Sequence, residues 1–134
     1  NPCSLCANLR RGILNSAAKR EHCNKIALGH NLDDVIETFL MNLFFAGNIS
    51  TFSPTSYMSR SGLTVIRPLV YASEKDTKRY IKRSGSKIMA KVCPMDGHST
   101  REYIKNLIYT ISLKNPHVKA YLLGTIKRNH INGW

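Results

Sequence analysis

The chain has 134 residues, of which 43% are hydrophobic and 21% are charged, which is typical of a globular protein and excludes intrinsic disorder. No apolar run approaches the ~20 residues that a membrane span needs. The net charge of +12 favours a polyanionic partner such as nucleic acid, and a soluble basic surface without such a partner is the alternative.

Four cysteines are present, and no secretory signal precedes them. We therefore expect a reducing, cytoplasmic location in which the cysteines are thiols or metal ligands rather than disulfides. Because the chain begins Asn1-Pro2-Cys3 without an initiator Met, we expect a fragment, a processed chain or a trimmed one.

A helix is predicted over residues 3–22, with apolar residues at every fourth position: Leu5, Leu9, Ile13 and Ala17. Cys3 and Cys6 lie one turn apart at its beginning, so both sulfur atoms face one point, and a helix N-terminus favours thiolates. This Cys-x-x-Cys pair alone leaves open half a zinc site, a redox pair or part of an iron–sulfur site. Cys23 is predicted to be a buried core residue.

The run Lys25–Leu28 predicts a buried strand, and the apolar spacing from Leu32 predicts a helix over 32–45. Asp33 and Asp34 lie in the first turn of that helix. Ligands bind at the carboxyl ends of strands in open α/β sheets, where carboxylates hold Mg²⁺ on a nucleotide phosphate. Alternatively, Asn31 caps the helix and the acidic residues only favour its positive end.

Residues 46–63 are predicted to form a polar loop, and 63–66 a second strand that ends at Arg67. Residues 86–90 are predicted as a third short strand. Ser73 caps a helix whose basic residues indicate a polyanion-binding face or a merely solvated one. The residues of this face are Lys75, Lys78, Arg79 and Lys82.

Cys93 lies in a turn-rich segment, Lys91–Gly97, directly before a proline, and a loop cysteine of this kind is well placed to ligate a metal. After it, Ser99 and Glu102 form a capping-box pattern that opens another helix. A last short helix is predicted over 117–123, and residues 127–134 are predicted to be a fraying basic tail.

Leu28–Asp34, followed by Glu37-Thr38 and Asn42-Leu43, resembles the second signature of the PP-loop ATP pyrophosphatases that modify tRNA. With Cys3-Ser4-Leu5-Cys6 upstream, the resemblance is to the tRNA 2-thiocytidine synthetase family and its relatives. This resemblance implies tRNA thiolation, in which ATP adenylates the C2 oxygen of a tRNA pyrimidine and sulfur then displaces AMP.

The resemblance also implies a ligand set, in which Cys3, Cys6 and Cys93 hold a 4Fe–4S cluster whose fourth iron is open for sulfur. The segment at Cys93 is similar to the branch with a Cys-Pro-x-Asp-Gly element and departs from the branch with a second Cys-x-x-Cys. The tRNA position that is modified therefore stays open.

The remaining implied roles concern ATP, Mg²⁺ and tRNA. Asp33 acts near Mg²⁺ and the nucleotide or as an acid/base helper, with Asp34 beside it. The turn Gly29-His30-Asn31 contacts the nucleotide. Arg67 belongs to an Arg-Pro-Leu element that faces the substrate, where it contacts phosphate or tRNA; an ordinary surface arginine is the alternative.

The predicted fold class is α/β, a partial Rossmann-like parallel sheet flanked by helices and lacking the N-terminal strands. Residues 1–134 are expected to be a single domain, the second half of a PP-loop catalytic domain. The phosphate-cradling Ser-Gly-Gly-x-Asp-Ser does not occur in the sequence, so this chain alone is not expected to hydrolyse ATP. Expected partners are tRNA and a sulfur donor protein, and an exposed sheet edge favours a homodimer.

Two other functions remain open at this point. One is a basic RNA-binding module in which zinc replaces the cluster at the same cysteines. The other is lysidine synthesis, which shares the Gly-His-x-x-Asp-Asp motif but does not need the Cys-x-x-Cys pair.

Overall fold

The computed structural model describes residues 2–88 and 99–134, with the backbone alone for residues 2 and 3. The elements in these residues are α1 (Pro2–Arg20), β1 (Lys25–Ala27), α2 (Leu32–Ala46), β2 (Thr55–Met58), β3 (Leu63–Ile66), α3 (Glu74–Ser84), α4 (Thr100–Lys114), α5 (Val118–Arg128) and a final 3₁₀ turn (Ile131–Gly133). The predicted α/β class is confirmed.

Contacts between Cα atoms divide the chain into two compact units. Unit 1 comprises Asn1–Gly29 and Pro54–Pro68 and contains α1 and all three strands. Unit 2 comprises His30–Ser53 and Leu69–Trp134 and contains the other helices.

The sheet of unit 1 has the strand order β1-β3-β2. β1 and β3 are parallel, with Ile26 opposite Val65, and β2 pairs with β3 in the antiparallel direction. Leu63 and Val65 are buried while Thr64 and Ile66 are partly exposed, so β3 has the period-2 burial of a central strand with one packed face.

This sheet differs from the predicted parallel one at its edge. β2 falls inside the stretch predicted as a loop over 46–63, and it makes the described sheet mixed. The strand predicted over 86–90 is wrong for 86–88, which lie outside any strand, and 89–90 lie outside the described residues. β2 was missed because Thr55-Ser56-Tyr57-Met58 is a polar edge strand, which has no apolar run to reveal it.

α1 forms as predicted but buries a different face. Ala18 is its buried apolar residue, whereas Leu5, Leu9 and Ile13 are 63%, 60% and 70% exposed. Cys23, which follows the helix, is also exposed, so its assignment to the core is wrong. The spacing of the apolar residues predicted the helix correctly. Within the described part of unit 1, however, the apolar face of α1 stays exposed.

The core of unit 2 forms around α2 because its apolar residues recur at helical spacing. Val35 and Ile36 are fully buried, and they pack with Ile104 of α4 and Ile126 of α5. Gly47 ends α2 in the left-handed conformation, with φ of 59°, which a glycine adopts without a Cβ penalty.

The C-terminal residues are ordered, so the fraying tail predicted over 127–134 is wrong. α5 continues to Arg128, and Ile131 is buried in the core of unit 2. Asn132 accepts a hydrogen bond from the Thr51 backbone at 2.9 Å, and the indole N–H of Trp134 donates to the Phe52 carbonyl at 2.9 Å. The prediction rested on the basic composition of this segment and did not consider these contacts of Ile131, Asn132 and Trp134.

Within the described residues, every helix is too short or too polar to cross a membrane.

Candidate functional site

The acidic turn at the start of α2 is held by a reciprocal cap. Asn31 accepts a hydrogen bond from the Asp34 backbone at 3.1 Å, and the Asp34 carboxylate accepts from the Asn31 backbone at 2.9 Å. The predicted capping by Asn31 is therefore present. It fixes one oxygen of Asp34, while the other lies 3.5 Å from Arg101.

Asp33 is the buried member of the pair, with 7% of its surface exposed. One carboxylate oxygen accepts a hydrogen bond from the Glu74 backbone at 2.6 Å, and the other is paired with the ammonium of Lys119. Both oxygens thus have partners, as a buried carboxylate requires. These contacts join the first turn of α2 to the beginnings of α3 and α5.

Glu37, one turn further along α2, is also buried and is bound by Arg101 of α4. The guanidinium donates to Glu37 at 2.9 Å and to the Thr38 hydroxyl at 3.0 Å. Burial raises the pKa of the Glu37 carboxyl above its ordinary value, and the hydrogen bond from Arg101 opposes this shift. Arg101 thereby neutralises a carboxylate that is otherwise costly to bury.

A fourth carboxylate, Glu74, lies between two lysines. Its oxygens are 2.8 Å from Lys105 and 2.7 Å from Lys78. The hydrogen bonds from Lys105 and Lys78 lower the pKa of Glu74 to about 2. The hydrogen bond between Lys105 and Glu74 also raises the pKa of Lys105. Glu74 is therefore ionised throughout the physiological range.

These groups surround a polar pocket of about 230 Å³ in unit 2. Its lining combines carboxylates, cations and two uncharged polar side chains: Asn31, Asp33, Asp34, Glu37, Glu74, Ser99, Arg101, Glu102 and Lys105. A pocket lined in this way suits a polar, charged ligand rather than an apolar one.

A second cavity, of about 290 Å³, adjoins the other side of Asp33. Three lysines line it, Lys75, Lys78 and Lys119, together with Ser73, which caps α3. Asp33 and Glu74 also line this cavity and are paired with Lys119 and Lys78, so Lys75 and the N-terminal end of α3 are the features that favour an anion here.

The structure places the predicted nucleotide-binding turn in two parts. Gly29 belongs to unit 1, and His30 and Asn31 belong to unit 2. The imidazole of His30 lies against the ring of Phe52, with centroids 4.8 Å apart.

The four basic residues of α3 that are predicted to bind RNA share one exposed face of the helix, because they are spaced i, i+3, i+4 and i+7. Lys78 is paired with Glu74, and Arg79 lies 3.5 Å from Asp76. Lys75 and Lys82 have no ion pair among the described residues. The face therefore keeps a net positive charge.

Arg67 follows β3 in unit 1 and is partly buried. Its guanidinium donates to the Ser56 hydroxyl at 3.4 Å. Burial lowers the pKa of Arg67, and the nearby charge of Arg11 lowers it further. Two like charges in this part of unit 1 favour an anionic ligand.

Only part of the predicted cysteine set falls within the described residues. Cys6 is an exposed free thiol on α1, one helical turn from Cys3. The side chain of Cys3 and the whole of Cys93 lie outside them, as does the predicted meeting of the three sulfur atoms. In the described part of the chain, no three Cys, His, Asp or Glu side chains cluster as metal ligands. Cys6, as an accessible thiol at the beginning of a helix, fits an iron–sulfur ligand.

Three residues of the site were missed from the sequence: Arg101, Lys105 and Lys119. Arg101 and Lys119 contact carboxylates 64 and 86 positions away. In the sequence they are ordinary basic residues of amphipathic helices. The capping-box pattern at Ser99 was the available signal, since it places Arg101 in the first turn of α4.

The model of the family described as PP-loop domain matches residues 5–110, which include Cys6, both aspartates of the acidic turn and Arg101. This chain belongs to the PP-loop domain family. The predicted family membership is confirmed.

Among curated PP-loop relatives, the chain is 42% identical over 123 residues to the tRNA-cytidine(32) 2-sulfurtransferase of Geotalea uraniireducens, covering 90% of this chain and 49% of that protein. It is 39% identical over 130 residues to the protein of the same name from Citrifermentans bemidjiense, covering 96% and 51%. The chain thus spans about half the length of the curated relatives it matches.

A solved structure with the same fold is the U34-tRNA thiolase NcsA from Methanococcus maripaludis with its 4Fe-4S cluster. The TM-score is 0.75 at 28% identity, covering 99% of this chain and 46% of that one. The fold of this chain is therefore similar to that of a PP-loop thiolase.

Proposed function

We propose that this chain is the second half of the catalytic domain of a tRNA sulfurtransferase, which replaces the C2 oxygen of a tRNA cytidine with sulfur at the expense of ATP. The observation that carries the proposal is a single match, over residues 5–110, that includes both Cys6 and the acidic turn. The matched relatives named as tRNA-cytidine(32) 2-sulfurtransferases support the choice of base.

The acidic turn supplies the activation step in this proposal. Both carboxylate oxygens of Asp33 accept hydrogen bonds, so the proposed role of Asp33 is to hold the turn in place and to balance the charge of Lys119. Asp34 has one oxygen with only a long contact to Arg101, which makes it the better placed of the two to meet Mg²⁺ or a substrate proton. In this proposal, Gly29, His30 and Asn31 form the turn that contacts the nucleotide.

ATP and Mg²⁺ complete the site, with most of the Mg²⁺ ligands supplied by phosphate and water, as is usual for this ion. Attack of the C2 oxygen on the α-phosphate of ATP releases pyrophosphate and makes this oxygen a leaving group, and sulfide-level sulfur then bonds to C2 as AMP departs. Cys3, Cys6 and Cys93 would hold a 4Fe–4S cluster, which would supply the means of delivering that sulfur. Zinc at the same cysteines is the alternative, in which the chain is an RNA-binding module.

tRNA is bound, in this proposal, by the exposed face of α3 and by Arg67. Lys75, Lys78, Arg79 and Lys82 form a row of cations that matches the phosphates of an RNA backbone. A separate protein donates the sulfur, and a homodimer forms through an open sheet edge. The activity belongs to the cytoplasm, where thiols stay reduced.

A chimeric enzyme tests this proposal. This chain replaces the matching half of the Geotalea uraniireducens protein, and the chimera is expressed in bacteria that lack 2-thiocytidine in their tRNA. We expect mass spectrometry of tRNA nucleosides to show 2-thiocytidine, and to show a loss of about 100-fold or more with Asp34→Asn, as for removal of a group used in the reaction. Glu21→Gln, which removes an exposed carboxylate after α1, is the control.

Three results would contradict the proposal. They are a folded chimera that forms no thiolated base, one that forms lysidine, and purification with zinc in place of iron and sulfide. The isolated chain has no Ser-Gly-Gly-x-Asp-Ser, and we expect it not to hydrolyse ATP. Measurable turnover of ATP by the isolated chain would show that this motif is not required.

A further inference from the structure

Tyr71, two residues before the cap of α3, is an exposed ring that two other side chains hold in place. Although 61% of Tyr71 is exposed, its ring meets the indole of Trp134 edge to face, with centroids 5.9 Å apart. Lys127, in the last turn of α5, lies over the same ring with its Nζ 5.3 Å from the centroid. We call Tyr71, Lys127 and Trp134 together the Tyr71 platform. It presents a fixed aromatic ring and a cation to solvent.

The platform is anchored on both sides within unit 2. The indole N–H of Trp134 donates to the Phe52 carbonyl at 2.9 Å, and the indole ring packs against the core of this unit. The carbonyl of Ala72, next to Tyr71, accepts a hydrogen bond from the Leu32 backbone at 2.9 Å, at the beginning of α2. Tyr71 is therefore tied to the helix turn that carries both aspartates. A ring held in this way loses little conformational freedom when a flat ligand binds.

The charge of the platform favours a nucleic acid as that ligand. Lys127 and Arg128 are exposed at the end of α5, and no carboxylate of the described residues pairs with Lys127. Single-stranded RNA binds to aromatic rings through its unpaired bases and to cations through its phosphates. An RNA duplex offers the phosphates but keeps its bases stacked on one another. The net charge of +12 disfavours a basic protein as the partner.

We propose that the Tyr71 platform stacks an unpaired base of the RNA substrate, other than the base that reacts, while the flexible side chain of Lys127 meets the adjacent phosphate. The proposal rests on the proposed function only for the identity of this RNA as tRNA. It adds a property that the basic face of α3 does not supply. The cations of that face contact phosphates, which single strands and duplexes share, whereas the platform discriminates between the two.

The test uses the 134-residue chain, whose only tryptophan is Trp134, so that tryptophan fluorescence reports from the platform. We expect a short oligouridylate, which is single-stranded, to change this fluorescence, and an RNA duplex of the same length not to. The anisotropy of a label on the RNA gives the affinity. Tyr71→Ala should weaken oligouridylate binding by about tenfold or more, and Tyr71→Phe, which keeps the ring, by no more than about twofold. Tyr109→Ala, at a tyrosine of α4 that is 64% exposed, is the matched control and should bind normally.

A second variant tests the phosphate contact. Lys127→Gln should reduce the salt dependence of oligouridylate binding by about one unit of the logarithmic slope. An unchanged slope would overturn the proposal, and this result decides the matter if circular dichroism shows that Tyr71→Ala does not fold.

Three other results would also overturn the proposal. One is equal affinity of folded Tyr71→Ala and the unsubstituted chain for oligouridylate, and another is an equal change of Trp134 fluorescence with duplex RNA. The third is a fluorescence change with ATP alone that Tyr71→Ala abolishes, since a mononucleotide would then be the occupant. None of these measurements involves thiolation, so the platform can fail while the chimeric enzyme still forms 2-thiocytidine, and the reverse.

Discussion

α1 and α4 both carry apolar residues at helical spacing, yet the apolar face of α4 is buried and that of α1 is exposed. On α4, Ile104 and Ile108 are buried against α2, the first turn is capped by Ser99, and Arg101 binds Glu37. On α1, Leu9 and the other large apolar residues of that face are exposed. Apolar periodicity therefore predicts that a helix forms, but it does not say whether the same polypeptide unit supplies the partner.

The largest difference between the two helices should appear in the loss of stability when an apolar side chain is shortened. Ile104→Ala removes a fully buried side chain, and we expect it to lower the free energy of unfolding by about 2–5 kcal/mol because it leaves a cavity. Leu9→Ala should change it by no more than about 0.5 kcal/mol, as for other exposed positions. Urea denaturation of the 134-residue chain measures both changes in the free energy of unfolding. Equal losses for the two variants would contradict the difference in burial between α1 and α4.

The next difference is the ion pair that fastens α4 to α2. Arg101→Gln leaves the buried Glu37 carboxylate without its cation, which should cost about 1–3 kcal/mol near neutral pH. Because burial raises the pKa of Glu37, this carboxyl takes up a proton readily as the pH falls. The loss should therefore shrink at about pH 4.

Glu37→Gln in the Arg101→Gln background supplies the control, since a neutral pair needs no cation. It should recover part of the stability at neutral pH. A deficit that is the same at both pH values and in both backgrounds would show that Arg101 stabilises α4 through packing and not through charge.

A smaller effect is expected from the helix cap. Ser99 accepts a hydrogen bond from the Glu102 backbone at 3.3 Å, and Ser99→Ala should cost about 1 kcal/mol. Ser16→Ala, at an exposed position inside α1, is the matched serine and should cost nothing, since alanine is the better helix former. Thermal melts compare the two, and a loss at Ser16 equal to that at Ser99 would speak against the cap.

The smallest effect is a change in pH dependence. The lysines on Glu74 lower its pKa to about 2, so its contribution to stability is present above its ordinary pKa of 4.5 and is lost as the pH falls toward 2. Glu74→Gln should remove this part of the acid dependence. Glu21→Gln, which removes the exposed pair with Arg20 after α1, should leave the curve unchanged. Identical acid-denaturation curves for wild type and Glu74→Gln would contradict the assignment.

Local patterns predicted much of the fold. Asn31 and the apolar residues after it predicted α2 and its cap, and residues 63–66 formed a strand as expected, because these features depend on neighbours in the sequence. β2 was missed because a polar edge strand depends on its partner β3. The order of residues 127–134 was missed because it comes from Ile131 and Trp134 packing against distant parts of unit 2.

The site was predicted unevenly for the same reason. The motif at 28–34 identified both aspartates, but Lys119 and Arg101, which pair with the carboxylates, are distant in sequence and belong to no motif. The roles of both aspartates and of the three cysteines stay predictions, and the side chains of Cys3 and Cys93 lie outside the described residues.

The most direct measurement of the central claim compares two exposed thiols of unit 1 in the chimeric enzyme. Cys6→Ser removes a proposed cluster ligand, whereas Cys23→Ser removes a thiol to which no role is assigned. Mass spectrometry of tRNA nucleosides should show 2-thiocytidine lost with Cys6→Ser and retained with Cys23→Ser, with iron content falling only in the former. Full thiolation by the Cys6→Ser enzyme would contradict sulfur transfer through these cysteines.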